Sequence, residues 1–315
     1  MRVLITGGSG FVGSHLADRL LARKDQVLVI DNFSTGRRDN LKAHPNLKVV
    51  EATIADTKLM EQLFTEFKPD VVVHAAASYK DPDNWVEDCY TNVLGTVNVL
   101  NAAKKAACNR IIYFQTALCY GLNPKEQPVS LEHHFDARGS SYAISKTAAE
   151  HYVELSGLNF VSFRLANAYG PRNISGPLPT FYQRLSANKP CFVMDTRRDF
   201  VFIQDLVDCV EKAVDGKGAG YYHISSGSDY SIKELFDATL SALKITLDKE
   251  VEVRPRNPDD AFTILLDPSR TTKDFAWEVK TPLVAGVKAA ITYYQEYGIE
   301  QTYTHLKNVE EVEPA

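Results

Sequence analysis

A glycine-rich turn near the start of the chain constrains the fold most strongly. The chain begins MRVLITGGSGFVGSH, so an apolar run is followed by Gly7, Gly10 and Gly13 and then by an amphipathic pattern. Glycines at this spacing, between a strand and a helix, let the backbone approach a pyrophosphate and let the helix pack on its strand. The free N–H groups at a helix start also favour phosphate. We therefore predict a dinucleotide site that includes all three glycines with Phe11 and Val12.

An acidic residue ends the next apolar run, QVLVID. Asp31 is placed to accept hydrogen bonds from both ribose hydroxyls of an adenosine and to repel a 2′-phosphate, which favours NAD as the cofactor. It also argues against a tight turn that binds no ligand. Arg37 and Arg38 follow closely, so NADP remains the alternative.

Short apolar runs alternate with amphipathic segments through the first half of the chain. The runs are VLIT, QVLVI, LKVV, DVVVHAA, RIIYFQT and LNFVSFRL. Continuous apolar strands are typical of a parallel sheet covered on both faces. We predict an α/β fold with a Rossmann-type doubly wound parallel sheet. From about Asn167 the pattern loosens and prolines punctuate it, which predicts a smaller mixed α/β C-terminal substrate lobe.

These patterns predict the domain boundaries. Residues 1–166, with about 196–224, form the expected NAD-binding Rossmann domain, and about 167–195 with 225–305 form the substrate-binding lobe. Residues 306–315 end in EEVEPA and are expected to be a frayed tail.

Composition excludes several classes of protein. The 315 residues are 44% hydrophobic and 24% charged, as in ordinary globular proteins. A net charge of -5 provides no broad cationic surface, so we expect neither nucleic acid nor a membrane as a partner. Five cysteines without C-x-x-C spacing predict no disulfide framework and no metal site. With no signal-peptide pattern, a cytoplasmic location is expected.

A tyrosine and a lysine form Y-x-x-x-K in SSYAISKTAAEHY. Tyr142 and Lys146, four residues apart, lie on one face of a predicted helix. An adjacent ammonium and the positive nicotinamide of NAD would both favour the ionised phenol, which could then exchange a proton with a substrate hydroxyl. Thr116 ends the preceding strand and could hydrogen-bond the same oxygen. Each residue alone could be structural, but together, after a glycine-turn unit, they predict a catalytic group.

With these motifs, several further segments make the chain resemble a known family. They are DNFSTG, HAAAS, TNVLGTVNVL, FRLANAYGPRN, RDFVFIQDL and SIKELF. The family is the extended short-chain dehydrogenases/reductases, in the nucleotide-sugar epimerase/dehydratase branch that includes UDP-galactose 4-epimerase. The resemblance covers almost the whole chain. It implies a tightly held NAD that takes hydride from carbon 4 of a UDP-sugar and returns it to the other face of a transient 4-keto sugar. It also implies a homodimer paired through two long helices, at 92–106 and 141–155.

The resemblance assigns further residues. It implies that the cofactor site also includes Asn32, Thr53, Ile54, Ala75, Ala76 and Lys80, and that the substrate is bound by Asn167, Arg198 and Arg256. Arg198 could instead form a surface ion pair, and Lys80 could simply be exposed.

Two departures from the family pattern bear on function. Dehydratases and decarboxylases of this branch carry a carboxylate one or two residues after the catalytic hydroxyl, where this chain has Ala117 and Leu118. This favours an epimerase. The second departure is Thr53, where relatives often have an aspartate for the adenine amino group. The alternatives are an NAD(P)-dependent nucleotide-sugar reductase, dehydrogenase or dehydratase and, in another class, a non-catalytic dinucleotide-sensing protein.

Overall fold

The structure is a computed structural model that describes residues 1–258, 260–299 and 301–303. Its strands, in chain order, are β1 (Arg2–Thr6), β2 (Gln26–Asp31), β3 (Leu47–Glu51), β4 (Val71–His74), β5 (Arg110–Thr116), β6 (Phe160–Leu165), β7 (Asn167–Tyr169), β8 (Phe192–Met194), β9 (Arg197–Arg198), β10 (Phe200–Phe202), β11 (Gly220–Ile224), β12 (Tyr230–Ser231) and β13 (Glu252–Arg254).

The α-helices are α1 (Phe11–Ala22), α2 (Thr57–Phe67), α3 (Trp85–Glu87), α4 (Thr96–Lys105), α5 (Ser141–Leu155), α6 (Pro177–Ser186), α7 (Ile203–Val214), α8 (Ile232–Leu243), α9 (Ser269–Phe275) and α10 (Leu283–Tyr297). A π-helical segment, Asp88–Gly95, joins α3 to α4. Within the described residues, no helix is both long and apolar enough to cross a lipid bilayer.

Seven strands form one sheet in the order β3-β2-β1-β4-β5-β6-β11. Every neighbouring pair in it is parallel. The direction of winding reverses between β1 and β4, and ligands of such sheets bind at the carboxyl ends of the strands beside this switch point. The predicted Rossmann-type doubly wound fold is confirmed.

Apolar side chains fill both faces of this sheet, as the continuous apolar runs predict. In β1, Val3 and Ile5 face a core that includes residues of α1 and α7. The intervening Leu4 faces a second core, formed with residues of α2 and α4. Because successive strand residues point to opposite faces, a strand covered on both sides must be apolar throughout.

Three short pairs of strands lie outside the main sheet: β7 with β10, β8 with β13, and β9 with β12. They involve the part of the chain after Asn167, where the sequence pattern loosens. The division into a Rossmann domain and a substrate lobe remains a prediction. The expected tail at 306–315 lies outside the described residues.

The helix expected from Asn92 to Ala106 is present in a modified form. Its first turns belong to the π-helical segment, and regular α-helix begins at Thr96. Gly95 stands at the junction, where a Cβ atom would lie 2.6 Å from the Ile54 side chain. Close packing of the helix against the loop after β3 therefore requires glycine at this position.

A buried ion pair anchors α5 to β6. Glu150, 1% exposed, accepts hydrogen bonds from Arg164 at 3.1 Å and 3.3 Å and from the Ser162 hydroxyl. Arg164 also donates to the Tyr120 hydroxyl, which bonds His223 Nε2 at 2.6 Å. Since His223 Nδ1 faces a carbonyl oxygen and must donate to it, Nε2 is the acceptor for the tyrosine. Each polar group in this chain of contacts therefore has a partner.

Removing one charge of this pair is expected to destabilise the protein strongly. Glu150→Gln leaves the Arg164 guanidinium buried without a counter-charge, and we expect a loss of about 3 kcal/mol in the free energy of unfolding. Urea denaturation followed by circular dichroism measures this loss. The matched control is Glu61→Gln, which breaks an exposed bridge to Lys105 and should cost less than about 1 kcal/mol. Equal losses in the two variants would contradict the assignment.

Candidate active site

The glycine turn brings β1, α1 and the end of β4 into backbone contact. Gly7 has φ +67°, in the left-handed region that favours glycine, and a Cβ there would lie 2.7 Å from the Ala76 nitrogen. A Cβ on Gly13 would lie 2.5 Å from the Gly7 oxygen. Both glycines are therefore required by packing, and the turn occupies the carboxyl edge of the sheet at the switch point.

The first turn of α1 has no side-chain cap. Gly10 is the N-cap residue, and no side chain accepts a hydrogen bond from the first helical N–H groups. Phe11, Val12 and Gly13 supply those groups at the edge of the cavity described below. Unsatisfied N–H groups and the helix dipole both favour an anion here.

Asp31 lies buried at the end of β2, 6% exposed. Its two oxygens accept the N–H groups of Ser9 and Phe33, each at 2.8 Å. Burial raises the pKa of this carboxyl group, and the backbone hydrogen bonds oppose that rise. Each carboxylate oxygen has a second lone pair, so the group retains capacity to accept ribose hydroxyls.

The neighbouring arginines are engaged by acids. Arg37 donates to both oxygens of Asp39, at 2.8 Å and 2.6 Å. Arg38 pairs with Glu51 at 2.6 Å. Binding of a 2′-phosphate would have to compete with these carboxylates, in addition to repulsion by Asp31. The geometry therefore favours NAD over NADP.

A cavity of about 670 Å³ opens at the carboxyl edge of the sheet. It brings together every residue predicted for the cofactor and the catalytic group, and one of the three predicted for the substrate. These are Gly7, Gly10, Phe11, Val12, Gly13, Asp31, Asn32, Thr53, Ile54, Ala75, Ala76, Lys80, Thr116, Tyr142, Lys146 and Asn167. Their roles remain predictions, but their common location agrees with those roles.

Burial controls the electrostatics of the tyrosine and the lysine. Lys146 is 3% exposed, and its Nζ lies 4.0 Å from the centroid of the Tyr113 ring. Burial lowers the pKa of Lys146 to about 7, and the charge of Glu150 opposes the fall. Burial, with smaller contributions from Tyr79 and Asp88, raises the pKa of Tyr142 above its usual value. In the protein alone the phenol therefore favours its neutral form, so the positive charge of the nicotinamide becomes the main factor that could ionise it.

Thr116 occupies the end of β5, beside the cavity. Its Oγ1 accepts the N–H of Leu118 at 3.2 Å, so the hydroxyl proton remains available to another group. Ala117 and Leu118 follow it in a 3₁₀ turn. Among the described residues, the acids that line the cavity are Asp31, Asp81 and Glu87, and none of them directly follows Thr116.

Arg198 and Arg256 lie together but do not line this cavity. Arg198 donates to both oxygens of Asp260, at 2.5 Å and 2.6 Å. Arg256 is exposed and contacts the Asp260 carbonyl oxygen and Asn123, each at 3.3 Å. Both arginines thus bond Asp260. The ion pair of Arg198 is formed with Asp260, and not with Asp199, which follows Arg198 in the sequence.

Thr53 and Lys80 are the predicted cofactor-binding residues with the weakest support in the sequence, and each contacts another residue of the chain. Thr53 Oγ1 accepts the N–H of Ala55 at 3.2 Å and keeps a lone pair for another donor. Lys80 is exposed, with its Nζ 5.4 Å from the centroid of the Tyr303 ring.

Some residues that line the cavity have no predicted role, including Gly36, which ends the segment DNFSTG. Gly36 packs its backbone against Asp31, where a Cβ would lie 2.9 Å from a carboxylate oxygen. Gln115 lines the cavity although it is 2% exposed. The available signal for Gln115 is a single amide that follows the apolar run IIYF in the strand RIIYFQT. Tyr79 and Glu87 lie in a loop and a short helix without periodicity, and no sequence signal identifies them.

Comparison with known proteins identifies the family to which this chain belongs. The sequence profile of the NAD dependent epimerase/dehydratase family matches residues 3–225. This chain belongs to that family. The cofactor expected from the glycine turn and Asp31 is therefore confirmed as NAD, on which the family depends.

Individual members of the NAD-dependent epimerase/dehydratase family are similar over nearly the full length. A UDP-glucose 4-epimerase of Mycolicibacterium smegmatis is 31% identical over 94% of this chain and 99% of its own. The Bordetella bronchiseptica enzyme WbmH, solved with NAD+, has a TM-score of 0.92 and 57% identity over 95% of this chain and 99% of its own. WbmG of the same organism, solved with NAD and UDP, has a TM-score of 0.91 and 42% identity over 98% and 99%. UDP-glucuronic acid decarboxylases of Arabidopsis thaliana are relatives as well.

The buried lysine predicts an unusual pH dependence of stability. The folded protein releases the Lys146 proton near pH 7, whereas the unfolded chain holds it up to the ordinary pKa of 10.5. Between these values the unfolded state binds one more proton, so the free energy of unfolding rises with pH, by about 1.4 kcal/mol per pH unit. Lys146→Met should remove this rise, and urea unfolding of the cofactor-free protein from pH 7 to pH 10 measures it. The exposed Lys105→Met is the control, and a rise that persists in Lys146→Met would refute the assignment.

Proposed function

We propose that this chain is an NAD-dependent UDP-sugar epimerase that inverts carbon 4 through a transient 4-keto sugar. The observation that carries the proposal is the meeting of Tyr142, Lys146 and Thr116 with the glycine turn at one cavity. The absence of a carboxylate at the two positions after Thr116 favours epimerisation over dehydration or decarboxylation. The UDP-glucose 4-epimerase relative and the UDP bound to WbmG support a UDP-linked substrate.

Different residues of the chain have different roles in the proposed reaction. NAD supplies a hydride acceptor when bound, with its pyrophosphate on the N-terminus of α1 and its adenosine ribose on Asp31. Tyr142 takes the proton of the 4-hydroxyl as the carbon–hydrogen bond at carbon 4 breaks, and Thr116 hydrogen-bonds the same oxygen. The keto group then turns over within the cavity. Tyr142 would return the proton to the oxygen as a carbon–hydrogen bond forms on the opposite face of carbon 4, so neither NAD nor a proton would be consumed overall.

Rotation of the sugar requires that the nucleotide and diphosphate provide the binding energy. Asn167 is exposed on the cavity wall and is placed to contact the substrate. Arg198 and Arg256 are the proposed partners of the diphosphate, because a guanidinium group matches two phosphate oxygens. The diphosphate must then compete with Asp260 for Arg198.

The experiment that tests this function is turnover by a tyrosine variant. Wild-type protein should interconvert a UDP-sugar and its 4-epimer, and chromatography that quantifies both sugars measures this conversion. The absorbance of reduced nicotinamide near 340 nm should show no lasting change. Tyr142→Phe should lower kcat by at least about 1000-fold, since it removes the proton-transfer group. NAD should remain bound. The exposed Tyr297→Phe is the matched control and should retain activity.

Other outcomes would exclude the proposal. Release of carbon dioxide or stoichiometric consumption of NAD would indicate a decarboxylase or a net oxidoreductase. Unchanged turnover in Tyr142→Phe would remove the proposed acid–base group.

We also propose that the chain forms a homodimer through α5 and the π-helical segment, which pack against each other. Large apolar side chains remain exposed along α5, the π-helical segment and the short helix α3 that precedes it, and apolar patches of this kind mark protein interfaces. They are Trp85, Val86, Tyr90, Leu94, Ile144, Tyr152 and Leu155, with exposed fractions from 40% to 79%. A second copy of the chain presents the same surface and can cover it by twofold symmetry.

A charge on this surface is expected to disrupt the dimer. Tyr90→Asp combined with Tyr152→Asp should shift the protein from dimer to monomer in sedimentation equilibrium at micromolar concentration, because two carboxylates would be buried without partners. Val253→Asp introduces a charge on the exposed strand β13 and should leave the dimer intact. A monomeric wild-type protein would overturn the proposal.

A further inference from the structure

One amide side chain lies between the strand that ends at Thr116 and the helix that carries Lys146. Gln115 is the penultimate residue of β5 and is almost fully buried. Its Oε1 accepts the N–H of Thr116 at 2.8 Å, and its Nε2 donates to the main-chain carbonyl oxygen of Lys146 at 3.1 Å. A buried amide is stabilised only when both of its ends are paired, and here both are.

These two partners fix the orientation of the amide. An N–H group needs an acceptor, so it must face Oε1, and a carbonyl oxygen needs a donor, so it must face Nε2. Turning the amide over would place like groups against each other at both ends. Gln115 therefore forms a directional bridge between the two residues.

The alternation of β5 places two side chains against the lysine. Tyr113 and Gln115, two residues apart, lie on the same face of the strand. The Tyr113 hydroxyl donates to the same Lys146 carbonyl oxygen at 3.0 Å, and its ring lies against the Lys146 ammonium. The hydrogen bond of the Tyr113 hydroxyl reaches only the helix, and the Tyr113 ring also packs against His74 at 5.7 Å between centroids. Gln115, in contrast, bonds both the helix and the N–H of Thr116.

We propose that Gln115 is a positioning residue for the reaction. Its amide fixes the backbone of Thr116 relative to the turn of α5 that carries Lys146, four residues after Tyr142. The inference rests on the proposed function, in which these three side chains act on one substrate hydroxyl. A displacement of about 1 Å between reacting groups can lower a rate roughly 100-fold. Since Gln115 makes no proposed contact with the nucleotide, its loss is expected to change kcat rather than KM.

Two substitutions separate positioning from simple packing. Gln115→Met keeps the length of the side chain and removes both hydrogen bonds. Gln115→Glu keeps the shape and the acceptor for the Thr116 N–H, but it opposes a carboxylate to the Lys146 carbonyl oxygen. Burial raises the pKa of the introduced carboxyl group, so at low pH the neutral acid donates to the Lys146 carbonyl oxygen as the amide does. At higher pH the carboxylate loses this bond, and its negative charge favours the protonated form of Lys146 and raises the pKa of the lysine.

The experiment compares NAD-loaded wild type, Gln115→Met and Gln115→Glu by steady-state kinetics with a UDP-sugar from pH 6 to pH 10. Gln115→Met should lower kcat about 30- to 100-fold with KM changed less than about threefold. In Gln115→Glu, the limb of the pH–rate profile that reports Lys146 should move to higher pH. The control is Gln62→Met, which removes an exposed amide that bonds Glu66 on α2 and should leave both constants unchanged.

A second readout does not depend on turnover. Hydrogen–deuterium exchange of the peptide that contains Thr116 should be at least about tenfold faster in Gln115→Met, because the N–H loses its acceptor. If wild type turns over no UDP-sugar, the proposed function fails while exchange still tests the bridge. If Gln115→Met does not fold, the isosteric Gln115→Glu carries the kinetic test. A folded variant with wild-type exchange, kcat and pH profile would overturn the role of Gln115.

Discussion

The contact between the first strand and the first helix is the constraint on which the site depends. Gly13 packs on the Gly7 carbonyl, and Gly7 packs on the backbone that follows β4. No side-chain atom fits between them, so α1 must begin at the carboxyl edge of the sheet beside the switch point. The first N–H groups of α1 then face the same cavity as Asp31, Thr116 and the face of α5 that carries Tyr142 and Lys146. The position of the cavity follows from this packing.

Burial of charge is the second constraint. Low polarity around α5 lowers the pKa of Lys146 and raises that of Tyr142. Glu150, one helical turn beyond the lysine, opposes the effect on Lys146, and it forms a buried ion pair with Arg164. The network of Glu150, Arg164, Tyr120 and His223 therefore anchors the helix that carries Tyr142 and Lys146 to the strands beneath it.

Local sequence patterns predict most of the fold. The apolar runs correspond to β1 to β6, and the helix around Tyr142 has the expected bounds, because strand and helix periodicities appear directly in the order of residues. The π-helical segment has no comparable signature, because it spans only eight residues and a change of helical period cannot be recognised over so short a stretch. The partner of Arg198 was not predictable either. Asp260 is 62 residues away, and only the loop conformation brings the two together.

The parts of the site that the sequence predicts are those built by one strand–turn–helix unit or one helix face. The glycine turn, Asp31, Tyr142 and Lys146 belong to this group. Gln115 bonds a residue 31 positions later, and no pattern within β5 specifies that contact.

The sheet itself also depends on a contact between distant parts of the chain, because β11 (residues 220–224) pairs with the outer edge of β6. A fragment ending after β6 would expose unpaired N–H and C=O groups along that strand, a surface prone to aggregation. During synthesis the sheet can therefore be completed only after β11 (Gly220–Ile224) has left the ribosome.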